Sequence, residues 1–556
     1  MLFRSHRIAI DTLQLIKKKT GKNFVVADLL GKRWMCNHQL PPGAVDFTEF
    51  CKTLVERGEC EFYNRVFQKK ATTIEAKRLV SSLQQEGPLS ADELMARAQE
   101  EKLCSYEIAL LLSKKAQVII ADYNYLFNPH IREAILGKLD KKLQDITVIV
   151  DEGHNLPGRV TEMLSSSLTT ITLHNALLEA RKFKYLGVID WLQQLNSILT
   201  KFNMLYDVPE RLIEKEDLVQ HINSFVPYEM FIKELEAAAE EIRQKQRKSY
   251  LGGISSFLQQ WQGPEEGYAR ILSEQQGKLG PVISLSYHCL DPSLVTKEIF
   301  SAVKCGVIMS GTLQPTSLFR DLLGIERPLE KSYPSPFPPE NKITLIVPET
   351  STKYSLRQPE MYRTIGRICS ELAVLIPGNI AFFFPSYQLR DSIADYFSTD
   401  KKRFWEKQSM SSEDKEMFLQ EFAAARRQGG VLLGVAGANF AEGVDFPGDL
   451  LQGVVIVGLP LSKPNLKIQQ TIRYYDQKFN KGWDYAYIIP AMTKCIQSAG
   501  RCIRSETDRG VVVFLDERFA WQQYYACFPE KVGLRVTTKY QNLIREFFTN
   551  KDRITI

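Results

Sequence analysis

No apolar run among the 556 residues approaches the roughly 18–20 that a membrane-spanning helix needs, so no membrane partner is expected. The opening stretch, MLFRSHRIAIDTLQLIKKK, interrupts its apolar letters with charge and offers no small-residue cleavage site, which excludes a signal-peptide reading. Charge of one sign is also scarce. With 71 Lys and Arg against 65 Asp and Glu, the net charge is only +6. Any nucleic-acid surface must then be a local groove rather than a cationic body. The ten cysteines form no CxxC pair and accompany no secretory feature, which argues against a disulfide scaffold and leaves metal or buried-thiol roles. There is no repeat of fixed period and no low-complexity tract.

What is present suits several folded domains. Apolar content is 44% and charged content 24%, ordinary for globular proteins. Buried-strand patterns occur at AQVIIADYNYLF (116–127), ITVIVDEGH (146–154), VKCGVIMSG (303–311), KITLIVP (342–348), NIAFFFPS (379–386), GVLLGVAG (430–437), LQGVVIVGLP (451–460) and GVVVFLDER (510–518). Helical patterns separate them. The expectation is an α/β protein with two parallel sheets, each covered on both faces. Residues 161–285 have long helical periodicity and read as a mostly α-helical insertion. The Pro-rich SYPSPFPPEN (332–341) reads as a linker between the sheets.

Chemistry concentrates at strand ends. In DEGH, Asp151 is placed to hold Mg²⁺ through water, Glu152 to orient or deprotonate an attacking water, and His154 to couple the nucleotide to another domain. A solvated acidic turn is the ordinary reading of the same letters. MSGTL (309–313) offers the Ser310 and Thr312 hydroxyls as a bridge, though SGT alone is a common turn. QSAGRCIRSETDRG (497–510) carries Gln497, Gly500, Arg501 and Arg504, read as a helix with both arginines on one face to clamp phosphate oxygens. A glycine inside a helix costs roughly 1 kcal/mol against alanine, which argues for a close approach at Gly500. GVAGANFAEGVDFPG (434–448) ends a strand in small residues followed by Glu442, Gly443 and Asp445, a loop able to approach a ribose, a phosphate or a DNA strand. Cys36, Cys51, Cys60 and Cys104 have 14, 8 and 43 residues between them. The spacing leaves zinc, an iron–sulfur cluster and unrelated buried thiols equally open. Cys289, Cys305, Cys369, Cys495, Cys502 and Cys527 read as core residues.

DEGH, SGT, an EGxD loop and QxxGRxxR in that order, each after a strand, resemble superfamily 2 helicases. Within them the chain resembles the XPD/DinG family, nearest archaeal XPD, over essentially its whole length. LDPS (290–293), FFPSY (383–387), EGVDFPG (442–448) and KGWDYA (481–486) add to the likeness. The resemblance implies two RecA-like motor domains, the first interrupted by an iron–sulfur domain and a helical arch. The implied boundaries are 1–32, 111–160 and 286–330 for the first motor, 33–110 for the cluster domain, 161–285 for the arch and 331–556 for the second motor. It implies a [4Fe–4S] cluster on Cys36, Cys51, Cys60 and Cys104, ATP and Mg²⁺ as cofactors, and single-stranded and forked DNA as partners. It further implies 5′-to-3′ unwinding in DNA repair by a monomer, cytoplasmic and nucleoid-associated in a prokaryote. Tyr63, Tyr123, Tyr125, Tyr387 and Trp483 are candidate platforms for stacked bases, which single-strand binders use, with Lys32 and Arg33 as candidate phosphate contacts.

Two departures stand out. DEGH replaces the usual DEAH. No GxxxxGK[ST] occurs in the 556 residues, and TGKN (20–23) is no substitute, since it lacks the first glycine and has Asn23 in place of a Mg²⁺-binding hydroxyl. The opening MLF resembles the end of the strand that follows the phosphate loop in the family. The expectation is therefore an N-terminally truncated helicase, inactive in hydrolysis without that loop. The alternative is an ATPase-dead single-stranded nucleic-acid-binding scaffold. A DinG-type nuclease is a third class, but no added exonuclease domain is found.

Overall fold

The computed structural model describes residues 4–38, 47–204, 208–246, 249–277, 280–441, 444, 446, 448–461, 464–529 and 533–549. The candidate loop residues Glu442, Gly443 and Asp445, and the opening MLF, lie outside them.

The chain starts with the helix Arg4–Thr20, whose Ile10 is buried, and enters strand β1 (Val26–Leu29). The next stretch is built of short helices, Phe47–Glu56, Glu61–Val66, Ile74–Glu86, Ala91–Glu100 and Ser105–Ser113, around a small hairpin of β2 (Phe67–Gln68) and β3 (Ala71–Thr72). Ser90 and Glu93 form a reciprocal capping box at one of these helix starts, satisfying donors that the helix cannot. Strand β4 (Val118–Ala121) returns to pair in parallel with β1, and β5 (Thr147–Val150) follows.

Residues 161–285 are less purely helical than their periodicity predicts. Five helices between Thr170 and Trp261 bury one large apolar cluster around Trp261, Phe231 and Leu192. They pack on a four-stranded antiparallel sheet of order β6-β9-β8-β7, where β6 is Ser166–Thr169, β7 Glu210–Leu212, β8 Tyr268–Gly277 and β9 Gly280–Cys289. The two long strands join at Gly277 and Gly280, which pair with each other at the hairpin end. A single covered face needs only alternate apolar residues, and that weaker pattern is easy to miss beside long helices.

Strand β10 (Cys305–Ile308) then pairs in parallel with β5, Thr147 opposite Cys305 and Val150 opposite Ile308. This pair was expected to be covered on both faces, and it is not. Ile149 is 65% exposed, Val307 44% and Met309 47%. Among the described residues β10 is an edge strand, and nothing covers that face.

The second sheet is complete. Its strands are β11 (Lys342–Val347), β12 (Ile380–Phe384), β13 (Lys402–Trp405), β14 (Gly430–Val435), β15 (Gly453–Val457), β16 (Gly510–Leu515) and β17 (Leu534–Val536). They lie in the order β13-β14-β12-β15-β16-β11-β17, all parallel. Successive residues alternate between two cores. Phe383, Leu432, Val454 and Phe514 face one, and Phe382, Phe384, Val431, Val455 and Val513 the other. That is the period of two expected of a strand buried on both sides.

Candidate active site

The DEGH turn sits at the end of β5 and is pinned from three directions. Tyr123 donates its hydroxyl to the carbonyls of Asp151 (2.5 Å) and Glu152 (3.0 Å). Gly153 N donates to Met309 O at 3.0 Å, fastening the turn to the strand next door. Glu152 N donates to Asp151 Oδ1 at 2.9 Å. Glu152 itself has φ +48°, a left-handed conformation that side chains other than glycine seldom adopt. A Cβ on Gly153 would lie 2.3 Å from Ile308 Cγ2, so a side chain here would force Ile308 or the turn to shift. The substitution of glycine for the usual alanine is thus matched to an isoleucine in β10.

The SGT segment meets this turn. Ser310 Oγ lies 2.7 Å from His154 Nδ1, 3.3 Å from Glu152 Oε2 and 3.4 Å from Thr312 Oγ1. His154 is buried while the Glu152 carboxylate is 60% exposed, open to a substrate. Hydrogen bonding to His154 holds the Glu152 carboxyl below its ordinary pKa against the opposing effect of burial, helped by Ser310 and by the positive charge of Arg501.

Arg501 belongs to the second sheet domain, and so does Gln497. Gln497 Nε2 is hydrogen-bonded to His154 Nε2 and reaches Thr312 Oγ1 at 3.3 Å. The two sheet domains therefore touch through Gln497, His154, Thr312 and Ser310, with Glu152 at the open side. Arg501 is held by its own domain, Nε on Ala441 O (2.9 Å) and Nη1 on Val444 O (2.6 Å). Burial lowers the Arg504 pKa, with Glu152 and Asp508 opposing the change.

The local structure corrects one expectation. The helix does not run through both arginines. It ends at Ala499, with Gly500 as its C-cap, and Arg501 and Arg504 lie beyond. Gly500 is thus not inside a helix, and a Cβ there would meet nothing nearer than 3.4 Å. Asp508 accepts from the backbone of Arg504 (2.7 Å) and Ser505 (2.9 Å), which fixes the turn beyond the helix.

Cys36, Cys51, Cys60 and Cys104 all line one small cavity, together with Lys32, His38, Tyr63 and Tyr106. His38 Nε2 is 3.5 Å from Cys60 Sγ. Burial raises the Cys104 thiol to about 12 and lifts Cys36 and Cys60 as well. Among the described residues no three His, Cys, Asp or Glu side chains converge as a single-ion site. Of the other cysteines, Cys289, Cys369, Cys495 and Cys502 are buried as expected, but Cys305 is exposed on β10 and Cys527 only half-buried.

The aromatic candidates fall into different settings. Tyr123 serves the acidic turn, a role that no local sequence signal announces. Tyr125 donates to Leu30 O at 2.7 Å and packs against the core beside β1. Tyr63 packs on Phe67 with ring centroids 5.1 Å apart, at the cysteine cavity. Tyr387 has the Arg390 guanidinium 5.0 Å from its ring centre. Trp483 is 55% exposed, edge-on to Tyr487. Lys32 lies over the Tyr106 ring at 5.5 Å.

A parallel α/β pair meets here through an acid–histidine turn on one side and a Gln–Gly–Arg segment on the other, the arrangement expected from the resemblance to superfamily 2 helicases. The comparisons with known proteins agree. DEAD_2 matches residues 7–173 and the Helicase C-terminal domain matches 369–533. The chain is 24% identical to the general transcription and DNA repair factor IIH helicase subunit XPD/RAD3 of Saccharomyces cerevisiae, over 78% of this chain and 66% of the relative. It is 25% identical to the ATP-dependent DNA helicase DDX11 of Mus musculus, over 81% and 61%. Its fold is similar to that of a solved XPD helicase, with TM-score 0.63, 21% identity and 93% and 88% coverage. It is also similar to Xpd4 of S. tokodaii, with TM-score 0.54, 18% identity and 79% and 88% coverage. The chain thus carries a DEAD_2 region and a Helicase C-terminal region, and over most of its length it is similar to helicases of the XPD/Rad3, DDX11 and CHL1 kind. It spans about two thirds or less of the length of the first curated relatives it matches.

Proposed function

We propose that this protein is an ATP-dependent helicase that moves 5′ to 3′ on single-stranded DNA and opens forked DNA in repair, with Mg²⁺–ATP bound between its two sheet domains. The observation that carries this reading is the Gln497 contact to His154 and Thr312. It links the acidic turn of one domain to the arginine segment of the other, so a change at the nucleotide alters how the domains sit. Asp151 and Glu152 would serve metal and water, and Arg501 and Arg504 would stabilise charge on the transferring phosphoryl group.

Turnover on this reading also needs a phosphate-gripping loop, for which residues 1–556 hold no GxxxxGK[ST]. The second reading is a single-stranded nucleic-acid-binding scaffold without hydrolysis. ATP hydrolysis with and without single-stranded DNA separates them, measured on residues 1–556 and on a chain extended upstream in frame. Turnover in the extended chain alone supports the helicase. Unaided turnover in residues 1–556 overturns the account of the phosphate grip. DNA binding with no turnover in either chain makes the scaffold the correct reading. In a turning-over chain, Arg501→Ala should cut kcat by about 10³-fold while leaving DNA affinity unchanged.

Four thiols lining one shared cavity support an iron–sulfur cluster as their ligand. Cys36, Cys51, Cys60 and Cys104 would hold a [4Fe–4S] cluster, which would cross-link the short helices around it. Protein purified anaerobically should be brown, and Cys60→Ser should lose the colour. A colourless wild-type protein carrying one zinc would refute the assignment.

A further inference from the structure

Two of the motifs, LDPS and KGWDYA, have no part in the nucleotide site described above. They meet elsewhere. Residues 466–488 lie in sequence between β15 and β16, inside the second sheet domain, yet most of their apolar side chains pack on the first, and Ile488 at the segment's end is the one that enters the second domain's core among the described residues. The helix Leu466–Phe479 sends Tyr475 into the core formed by Val148, Val150, Leu156 and Phe319, and Tyr485 and Ile489 join it there. Leu466 and Tyr474 pack against Ala269, Ile271 and Leu290.

Polar contacts fasten the same segment. Asp291 of LDPS is only 2% exposed. Its Oδ2 accepts from Tyr474 Oη and Lys478 Nζ, both at 2.6 Å, and its Oδ1 from Ser293 N at 2.9 Å. Lys478 Nζ also reaches Ser293 Oγ at 3.0 Å. Tyr485 of KGWDYA donates to Asp321 Oδ2 at 2.7 Å. Leu466 N donates to Glu210 Oε2 of β7 at 2.6 Å. Each of these acceptors belongs to the first sheet domain or its insertion.

From this anchored helix the chain passes through a π-helical turn, Asp484–Ile488, into the helix Ile489–Ala499. The start of that helix, Ile489, sits in the first domain's core. Further along, Met492, Cys495 and Ala499 sit in the second domain's core. One helix therefore begins in one domain and ends in the other, two residues before Arg501. A π-turn is a weak point in the hydrogen-bond ladder and a recurrent feature of working sites.

We propose that residues 466–488 are a strap that moves with the first sheet domain, clamped by Asp291 and Asp321, with the π-turn as its joint. Asp291 is then a positioning residue: through the strap it sets where Gln497 and Arg501 stand opposite His154 and Glu152. The strap stands on packing alone, while its effect on turnover rests on the helicase reading above.

Native-state hydrogen exchange on residues 1–556 tests the strap without ATP or DNA. Peptides from 466–488 should share the protection and denaturant dependence of β5 and β10, not of β12 and β15. Asp291→Asn should speed exchange in 466–488 by about tenfold or more and leave β12 and β15 unchanged. Tyr485→Phe removes one bond at the other anchor and should act in the same direction more weakly, which keeps the test usable if Asp291→Asn folds poorly. Exchange of 466–488 in step with β12 and β15 would overturn the strap. The positioning role is read by a disulfide between Thr312→Cys and Gln497→Cys, formed under a mild oxidant and mapped by peptide mass. Adding Asp291→Asn should slow its formation by about tenfold through a lower effective concentration, and Asp291→Glu should restore it. An unchanged rate would overturn the positioning role whatever the fate of the helicase reading.

Discussion

The two sheet domains use the same kind of strand sequence and reach different degrees of closure. In the second domain every residue of β12, β14, β15 and β16 is buried, and alternate side chains feed two separate cores. In the first, β5 alternates between buried and exposed, and β10 is exposed over most of its length. Val-Ile-Val in β5 is as apolar as Val-Val-Val in β16. The difference lies in what the rest of the chain lays on top. An apolar run states that a strand can be buried on both faces; burial itself is decided by partners far away in sequence.

The largest test of this contrast is a pair of truncations. Phe383→Ala in β12 removes a side chain with no exposure from the middle of the complete sheet. It should cost about 3–5 kcal/mol in a denaturant titration, the usual range for a buried phenylalanine. Val307→Ala in β10, already 44% exposed, should cost no more than about 0.5 kcal/mol. A cost at Val307 near that at Phe383 would mean that the face of β10 is covered in solution, and the comparison would fail.

The second test concerns the one point where the open pair is tightly packed. Gly153→Ala places a Cβ against Ile308 Cγ2, a branched methyl that cannot swing away. Overpacking of this kind costs roughly 1–3 kcal/mol, and here it would also push the DEGH turn off β10. Ile308→Ala should relieve the clash, so the double variant should be more stable than the sum of the two single costs. Simple additivity would show that Gly153 was not held by Ile308.

The same contrast explains what could be read from the sequence. The main strands of the complete sheet were legible because each is a β-branched or aromatic run between breakers. The motif order likewise singled out Asp151, Glu152, His154, Ser310, Thr312 and Gln497, and hydrogen bonds join the last five of them in the structure. The short β13 and β17 were missed, because runs such as KRFW and LRV are too brief to show a period. Tyr123 was read as a base platform because a tyrosine after a strand looks alike whether its hydroxyl meets a carbonyl or water. Helix periodicity carried the arginine helix past Gly500, though glycine is a common stop signal. The anchoring of 466–488 on the other domain left no trace in sequence, since periodicity reports which face is apolar and not which domain receives it.

The smallest effect asks how the far strand pair, β1 with β4, is held. His6 is buried between the ends of these strands, with Nδ1 2.6 Å from Asp28 Oδ1 and Nε2 3.5 Å from Asp122 Oδ1. Asp28 Oδ2 also accepts from Ala91 N at 2.8 Å, which ties in the cysteine-bearing domain. Burial works against a charged ring, but the hydrogen bonds to Asp122 and Asp28 overcome it and raise His6 from 6.5 to about 9. A histidine whose folded pKa lies above its unfolded value stabilises the fold fully below the unfolded pKa, and that contribution is lost as pH rises through the folded one. The denaturant midpoint of wild type minus that of His6→Gln should therefore be largest below about pH 6.5 and shrink towards zero as pH passes 9. The complete sheet gives an internal control, since a probe on β12 should show a smaller pH response than one on β1. A difference that grows with pH would mean that His6 is neutral in the folded protein and that the two aspartates, not an ion pair, set the spacing of this strand pair.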